Sequence, residues 1–85
     1  MPKTWILDSC TIQGDLALAL VLEMGNRQCL GAFLFRKGKA GGIIIERLEE
    51  YCVRHGTPGS LIFDQSPQFC SKRLMNWALT NGIRA

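Results

Sequence analysis

The sequence predicts one small α/β domain, a mixed sheet carried by two helices in the order β-β-β-α-β-α. Three observations point there. Leu16–Glu23, LALALVLE, alternates large and small residues with a period of two between the turn signals Gly14-Asp15 and Gly25-Asn26, so it reads as a strand although its residues favour helix. Two later stretches place apolar residues at i, i+4, i+7 and i+8: Ile44, Leu48, Tyr51 and Cys52, then Cys70, Leu74, Trp77 and Ala78. Between them lies a short apolar strand, SLIF, reached through the first helix, a connection long enough for parallel pairing with an earlier strand.

The elements follow in order. Residues 4–10, TWILDSC, give a first strand with Asp8 inside it or near its end; its plainest role is a surface aspartate closing a strand. Gln13-Gly14-Asp15 makes a turn. The second strand, LALALVLE, is apolar on both faces and is expected to be buried on both, as in a sheet covered by helices. Met24-Gly25-Asn26-Arg27 reads as a hairpin connection, with Gly and Asn accepting positive φ. Residues 28–36, QCLGAFLFR, are the third strand, completing a meander. Arg36-Lys37-Gly38-Lys39 is a basic turn, first of all a solvated loop.

The first helix begins near residues 40–42 and carries Glu46, Arg47, Glu49, Glu50 and Arg54 mostly on its solvated face, where Glu50 and Arg54 are spaced for an i,i+4 attraction. His55 and Gly56 end it and Pro58 prevents its resumption; His55 there makes a favourable dipole contact. Ser60–Phe63 is the fourth strand. Ser66 suits an N-cap with Pro67 at the first helical position, and Asn81-Gly82 is a stop. Ile83-Arg84-Ala85 points into the place of a fifth strand. If the fourth strand lies beside the first, Asp8 and Asp64 meet on one edge of the sheet.

Composition bounds the function. The chain has 85 residues, 47% of them hydrophobic, enough for one core and near the lower limit for a self-sufficient one, so self-association is expected. A net charge of +3 permits a nucleic-acid partner without specifying one. Cys10, Cys29, Cys52 and Cys70 form no CxxC pair, and His55 is the only histidine, which argues against a zinc finger or ribbon. No secretory leader is visible in MPKTW, so buried, reduced thiols and a cytoplasmic, soluble protein are expected.

The stretch that carries most chemistry is SLIFDQSPQFC, residues 60–70. A strand delivers Asp64 to its C-terminal end, beside a helix start, which is how an α/β sheet commonly presents a ligand. The commoner role of such an aspartate is a turn or cap.

Taken together, these residues resemble the catalytic core of retroviral-type integrases and insertion-sequence transposases. Trp5-Ile6-Leu7-Asp8, with Thr11 beyond it, resembles the W-x-x-D-x-T strand of that family, the threonine displaced by one. Glu23 and Asn26-Arg27 resemble its second strand and turn, and Leu30-Gly31 its aliphatic-glycine pair. His55-Gly56-Thr57-Pro58 resembles its His-Gly-x-Pro turn. Residues 62–69, IFDQSPQF, resemble its second-aspartate motif, S-D-N-G-x-x-F, with Gln65-Ser66 in place of Asn-Gly. Trp77 and Gly82-Ile83 fit the helix and turn that follow.

The resemblance implies a ribonuclease H-like mixed sheet over the whole chain, lacking the fifth strand and later helices. It implies Asp8 and Asp64 as the first two carboxylates of a site for Mg2+ or Mn2+, which in this family supports DNA phosphoryl transfer. The third carboxylate is missing: none of the 21 residues after Asp64 is Asp or Glu. Glu46, Glu49 and Glu50 precede Asp64 and belong to the first helix's solvated face. The expected function is therefore a truncated integrase-core domain, related to DNA strand transfer and inactive as an isolated chain. The alternative is a non-enzymatic dimerisation or regulatory module that binds DNA or a related full-length recombinase. Arg36, Lys37, Lys39, Lys72 and Arg73 are the candidate DNA contacts, and a homodimer would cover the surface left open.

Overall fold

A computed structural model describes residues 3–63 and 72–84, with the side chains of 40 and 41 excepted. Within them the chain runs β1 (Thr4–Gln13), β2 (Leu16–Glu23), β3 (Cys29–Arg36), a short 3-10 turn (Lys37–Lys39), α1 (Ala40–His55), β4 (Ser60–Phe63) and α2 (Lys72–Thr80). The four strands form one sheet in the order β3-β2-β1-β4. β1, β2 and β3 pair antiparallel as a meander, and β4 lies parallel to β1, with Trp5 beside Leu61 and Leu7 beside Phe63. The β-β-β-α-β-α order and the placement of β4 agree with the sequence reading. At the place of the fifth strand, which the sequence reading took to be lacking, Arg84 bridges Ser60 in parallel, and its carbonyl accepts the Leu61 N–H at 2.7 Å.

The core sits between one face of the sheet and the two helices. Trp5 and Leu7 of β1, Ala17, Ala19 and Val21 of β2, Phe33 and Phe35 of β3 and Leu61 of β4 meet Ile44, Leu48 and Tyr51 of α1 and Leu74 and Ala78 of α2. The stripe read from the sequence is the buried face of α1, with Cys52 half-buried at its margin. The first position of the second stripe, Cys70, and the Ser66-Pro67 start lie outside the described residues. Glu50 pairs with Arg47, three residues before it, at 3.2 Å.

A glycine sets how closely α1 approaches β3. Ala17 and Ala19 are buried in the core, and opposite Val21 stands Gly31, over which the Tyr51 ring lies so closely that a Cβ there would overlap the ring. The aliphatic-glycine pair Leu30-Gly31 thus has a packing reason. Burial pushes the Tyr51 hydroxyl above its ordinary pKa, and burial likewise raises the Cys52 thiol against the opposing hydrogen bond from Thr57.

Three expectations are corrected. β2 is buried on one face only: Ala17, Ala19 and Val21 are covered, while Leu16, Leu18, Leu20 and Leu22 remain half-exposed. Both described helices pack on the alanine side, so the leucine side has no described layer above it. In the turn after β2, positive φ falls on Arg27 (φ 56°), because the Asn26 side chain accepts the Gln28 N–H at 2.9 Å and fixes the turn from its own position. The thiols of Cys10 and Cys29 are exposed, Cys10 because its position in β1 belongs to the leucine side.

Two outcomes test this packing. Gly31→Ala should destabilise the chain by about 1–3 kcal/mol through overpacking, read as a fall in melting temperature, and combining it with Tyr51→Ala should cost less than the sum of the two. Leu48→Ala, at a fully buried site, should cost about 2–5 kcal/mol in a denaturant titration.

Candidate functional site

Asp8 lies in the middle of β1 and not at its end, because β1 continues to Gln13. Residues directly opposite on paired strands share a face, and Asp8 is opposite Leu20. It therefore stands on the leucine side of the sheet, exposed, between Ile6 and Cys10 in its own strand. Its Oδ1 accepts the N–H of Ser9 at 2.8 Å. Beyond Leu7 the parallel pairing with β4 stops, so on that side Asp8 has no described strand beside it.

Asp64, the second expected carboxylate, lies outside the described residues. β4, which leads to it, ends at Phe63 in register with Leu7. Among the described residues no three His, Cys, Asp or Glu side chains gather closely enough to hold a metal ion. Of the two carboxylates that the sequence resemblance implies, Asp8 is among the described residues, and its oxygens are of the hard type that Mg2+ and Mn2+ take. Glu46, Glu49 and Glu50 are exposed on α1, as the sequence reading placed them, and α1 packs on the other side of the sheet from Asp8.

The basic candidates separate into two groups. Arg36 and Lys37 are tied to the chain: Arg36 Nη1 meets Asp15 Oδ1 at 2.8 Å, and Lys37 Nζ donates to the Thr11 hydroxyl. The first link joins the end of β3 to the turn after β1, and the second joins the 3-10 turn to β1 itself. Lys39 occupies the N-cap position of α1 and makes no capping hydrogen bond, and the first turn of α1 contains no acidic residue. The Arg73 guanidinium lies just under 4 Å from the position a Gly42 Cβ would occupy. Lys39 and Arg73, on different elements, thus approach the start of α1, the positive end of its dipole. Lys72 is exposed at the start of α2.

The sequence reading missed what surrounds Asp8. Its face holds Ile6 and Cys10 of β1, Leu18, Leu20 and Leu22 of β2, Ala32 and Leu34 of β3 and Ile62 of β4, with Leu34 and Ile62 about half exposed. The signal was present in LALALVLE, where the large residues alternate on one side, but which side the helices would choose depends on Gly31 and Tyr51. The pairing of Arg73 with the start of α1 was likewise not legible, since nothing local links the two positions.

No protein-family model matches the chain, and no characterised protein matches it by sequence. Solved structures do match by fold. A chain of the simian T-cell lymphotropic virus intasome in complex with the PP2A regulatory subunit B56 gamma superposes with a TM-score of 0.78 at 15% identity, over 95% of this chain and 30% of that one. The HTLV-2 integrase catalytic core domain in complex with magnesium matches in its dimeric form with a TM-score of 0.77 at 14% identity, over 95% of this chain and 56% of that one. Its trimeric form gives a TM-score of 0.71 at 15% identity, over 95% and 55%. The chain therefore spans between about a third and just over half the length of these proteins. Its strand order and mixed pairing match the fold of a retroviral integrase catalytic core.

Proposed function

We propose that the chain is an integrase-core-like domain in which Asp8 and Asp64 form part of a divalent-cation site inherited from a DNA strand-transfer fold. The observation that carries this reading is the register of β1 with β4. Leu7 and Phe63 are paired, and the residue after each in the sequence is an aspartate. The HTLV-2 integrase core was solved with magnesium, which supports Mg2+ or Mn2+ as the ion. Such an ion would supply charge stabilisation for phosphoryl transfer. The chain's own contribution is to hold the Asp8 carboxylate on a rigid central strand, its Oδ1 oriented by the Ser9 N–H. With no carboxylate after Asp64, the 85-residue chain by itself is proposed to be inactive in cleaving or joining DNA.

DNA is the proposed partner, held through phosphate contacts. Lys39 and Arg73 at the start of α1 are the strongest contributors, because a cationic pair beside a helix N-terminus favours an anion. Lys72 adds charge nearby in sequence, whereas Arg36 and Lys37 would first have to release Asp15 and Thr11. A second reading is favoured by the open leucine side of the sheet: a non-enzymatic module that associates with another copy or with a related full-length recombinase. Among the described residues no helix is long and apolar enough to cross a membrane. A cytoplasmic location is proposed on the same family reading.

Two measurements test these proposals. At a Mg2+ or Mn2+ concentration ten times the dissociation constant, the melting temperature should rise by about 6–11 °C, the equivalent of about 1.4 kcal/mol. The rise should vanish in the Asp8→Asn, Asp64→Asn double variant, and an equal shift in both proteins would refute the site. Binding to duplex oligonucleotides should weaken with salt, and Lys39→Gln with Arg73→Gln should lower the slope of log affinity against log salt by about two. An unchanged slope would remove these residues from the interface.

A further inference from the structure

β3 is an outer strand of the sheet, with β2 on one side and, among the described residues, no strand on the other. The register decides which of its main-chain groups face outward. Lys37 donates its N–H to the Asp15 carbonyl at 2.8 Å, one position beyond the Leu16–Arg36 pair. In an antiparallel ladder, opposite residues that exchange hydrogen bonds alternate with those that do not. Phe33 and Phe35 therefore turn their main-chain groups towards β2, opposite Ala19 and Ala17, while Ala32, Leu34 and Arg36 turn theirs away from it. These last residues are exposed. Among the described residues no hydrogen bond from outside the β2 ladder reaches the main chain of Ala32 or Leu34.

The described chain breaks off at Lys3, Phe63 and Arg84, all at the opposite edge of the sheet. Phe63 ends β4, the Lys3 carbonyl accepts the Gly59 N–H, and the Arg84 carbonyl accepts the Leu61 N–H. β1 and β2 stand between those points and the outer side of β3. Charge sets the chemistry of what can pair there. Between Glu23 and Glu46 the sequence holds Arg27, Arg36, Lys37 and Lys39 and no Asp or Glu. Arg27 precedes β3, the others lie at its end and just after it, and all are exposed. Asp15 offsets Arg36. Antiparallel pairing of two β3 edges about a two-fold axis would bring Arg27 of each copy towards Lys37 and Lys39 of the other, like charge on like.

We propose that the outer edge of β3 binds an extended acidic peptide segment of a partner protein as an added strand. Its main chain pairs with Ala32 and Leu34, and its Asp or Glu residues lie at Arg27 on one side and Lys37 on the other. In such a complex the main-chain bonds supply affinity and the side chains supply the choice of partner. The middle of the added strand lies beside Leu34, 56% exposed, on one face and beside Phe33, at the margin of the core, on the other. Apolar residues there and acids at both ends are therefore the matching pattern. A nucleic acid could meet the cations but has no strand to offer the main-chain groups, which is why a peptide is the occupant.

The inference goes beyond the cation site and does not rest on it. The probe is a fluorescein-labelled peptide of alternating Val and Thr flanked by Glu residues, titrated against the whole chain by fluorescence anisotropy, with amide hydrogen exchange followed by NMR. In the free chain the N–H groups of Ala32 and Leu34 should exchange fast and those of Phe33 and Phe35 slowly, and the peptide should protect Ala32 and Leu34. N-methylation of alternate peptide nitrogens in one phase should weaken binding by more than about tenfold through lost hydrogen bonds, and in the other phase should leave it nearly intact. Lys in place of the flanking Glu should weaken it comparably, as should Arg27→Glu combined with Lys37→Glu, with circular dichroism checking that this variant is folded. Protection of Ala32 and Leu34 in the free chain, whether constant or rising with concentration, would show the edge taken by the chain itself or by a second copy and would overturn the proposal. So would an equal effect of the two methylation phases, or a duplex oligonucleotide that protects the same N–H groups. Peptide binding should be unchanged in the Asp8→Asn, Asp64→Asn double variant, so failure of the strand site and failure of the cation site are separate results.

Discussion

The close approach of α1 to the sheet is the constraint on which the rest depends. Tyr51 of α1 can lie over β3 only because Gly31 has no side chain. Once the helix takes that face, the period of two in β2 sends every leucine to the other. The pairing of β1 with β2 then carries Asp8 to the leucine side, opposite Leu20. A packing contact with no chemistry of its own therefore decides where the candidate carboxylate stands and which face is left without a layer.

The parallel placement of β4 has a similar physical origin. A helix of sixteen residues carries the chain back along the sheet before β4 begins, so β4 enters in the direction of β1. Arg84 then returns beside Ser60 after α2, continuing the sheet past β4. The sheet is therefore organised from β1 outwards, with the short, late strands added on the side of β1 away from β2.

Much of this was legible in the chain. The strand character of LALALVLE, the α1 stripe through Ile44, Leu48 and Tyr51, and the stop at His55-Gly56 follow from local period and backbone preference, and local rules were enough. The pairing of β4 with β1 followed from connection length. What was not legible depended on contacts far apart in sequence. The sidedness of β2 needed the match of Gly31 to Tyr51, twenty residues away. The interior position of Asp8 needed the length of β2, which extends β1 to Gln13 by pairing with it. The positive φ at Arg27 followed from a side-chain hydrogen bond of Asn26, which competes with the simpler preference of glycine for that role.

A carboxylate among leucines constrains whatever covers them. An ionised group removed from water without a partner is costly, and the cost grows as the cover becomes more apolar. A layer placed squarely over Asp8 must therefore bring a cation or a hydrogen-bond donor, whereas one centred on Leu18 and Leu34 can leave Asp8 wet at its margin. The first arrangement is that of an ion-binding core and the second that of a stacked pair. Both use the same sheet face, so the depth to which Asp8 is enclosed distinguishes them.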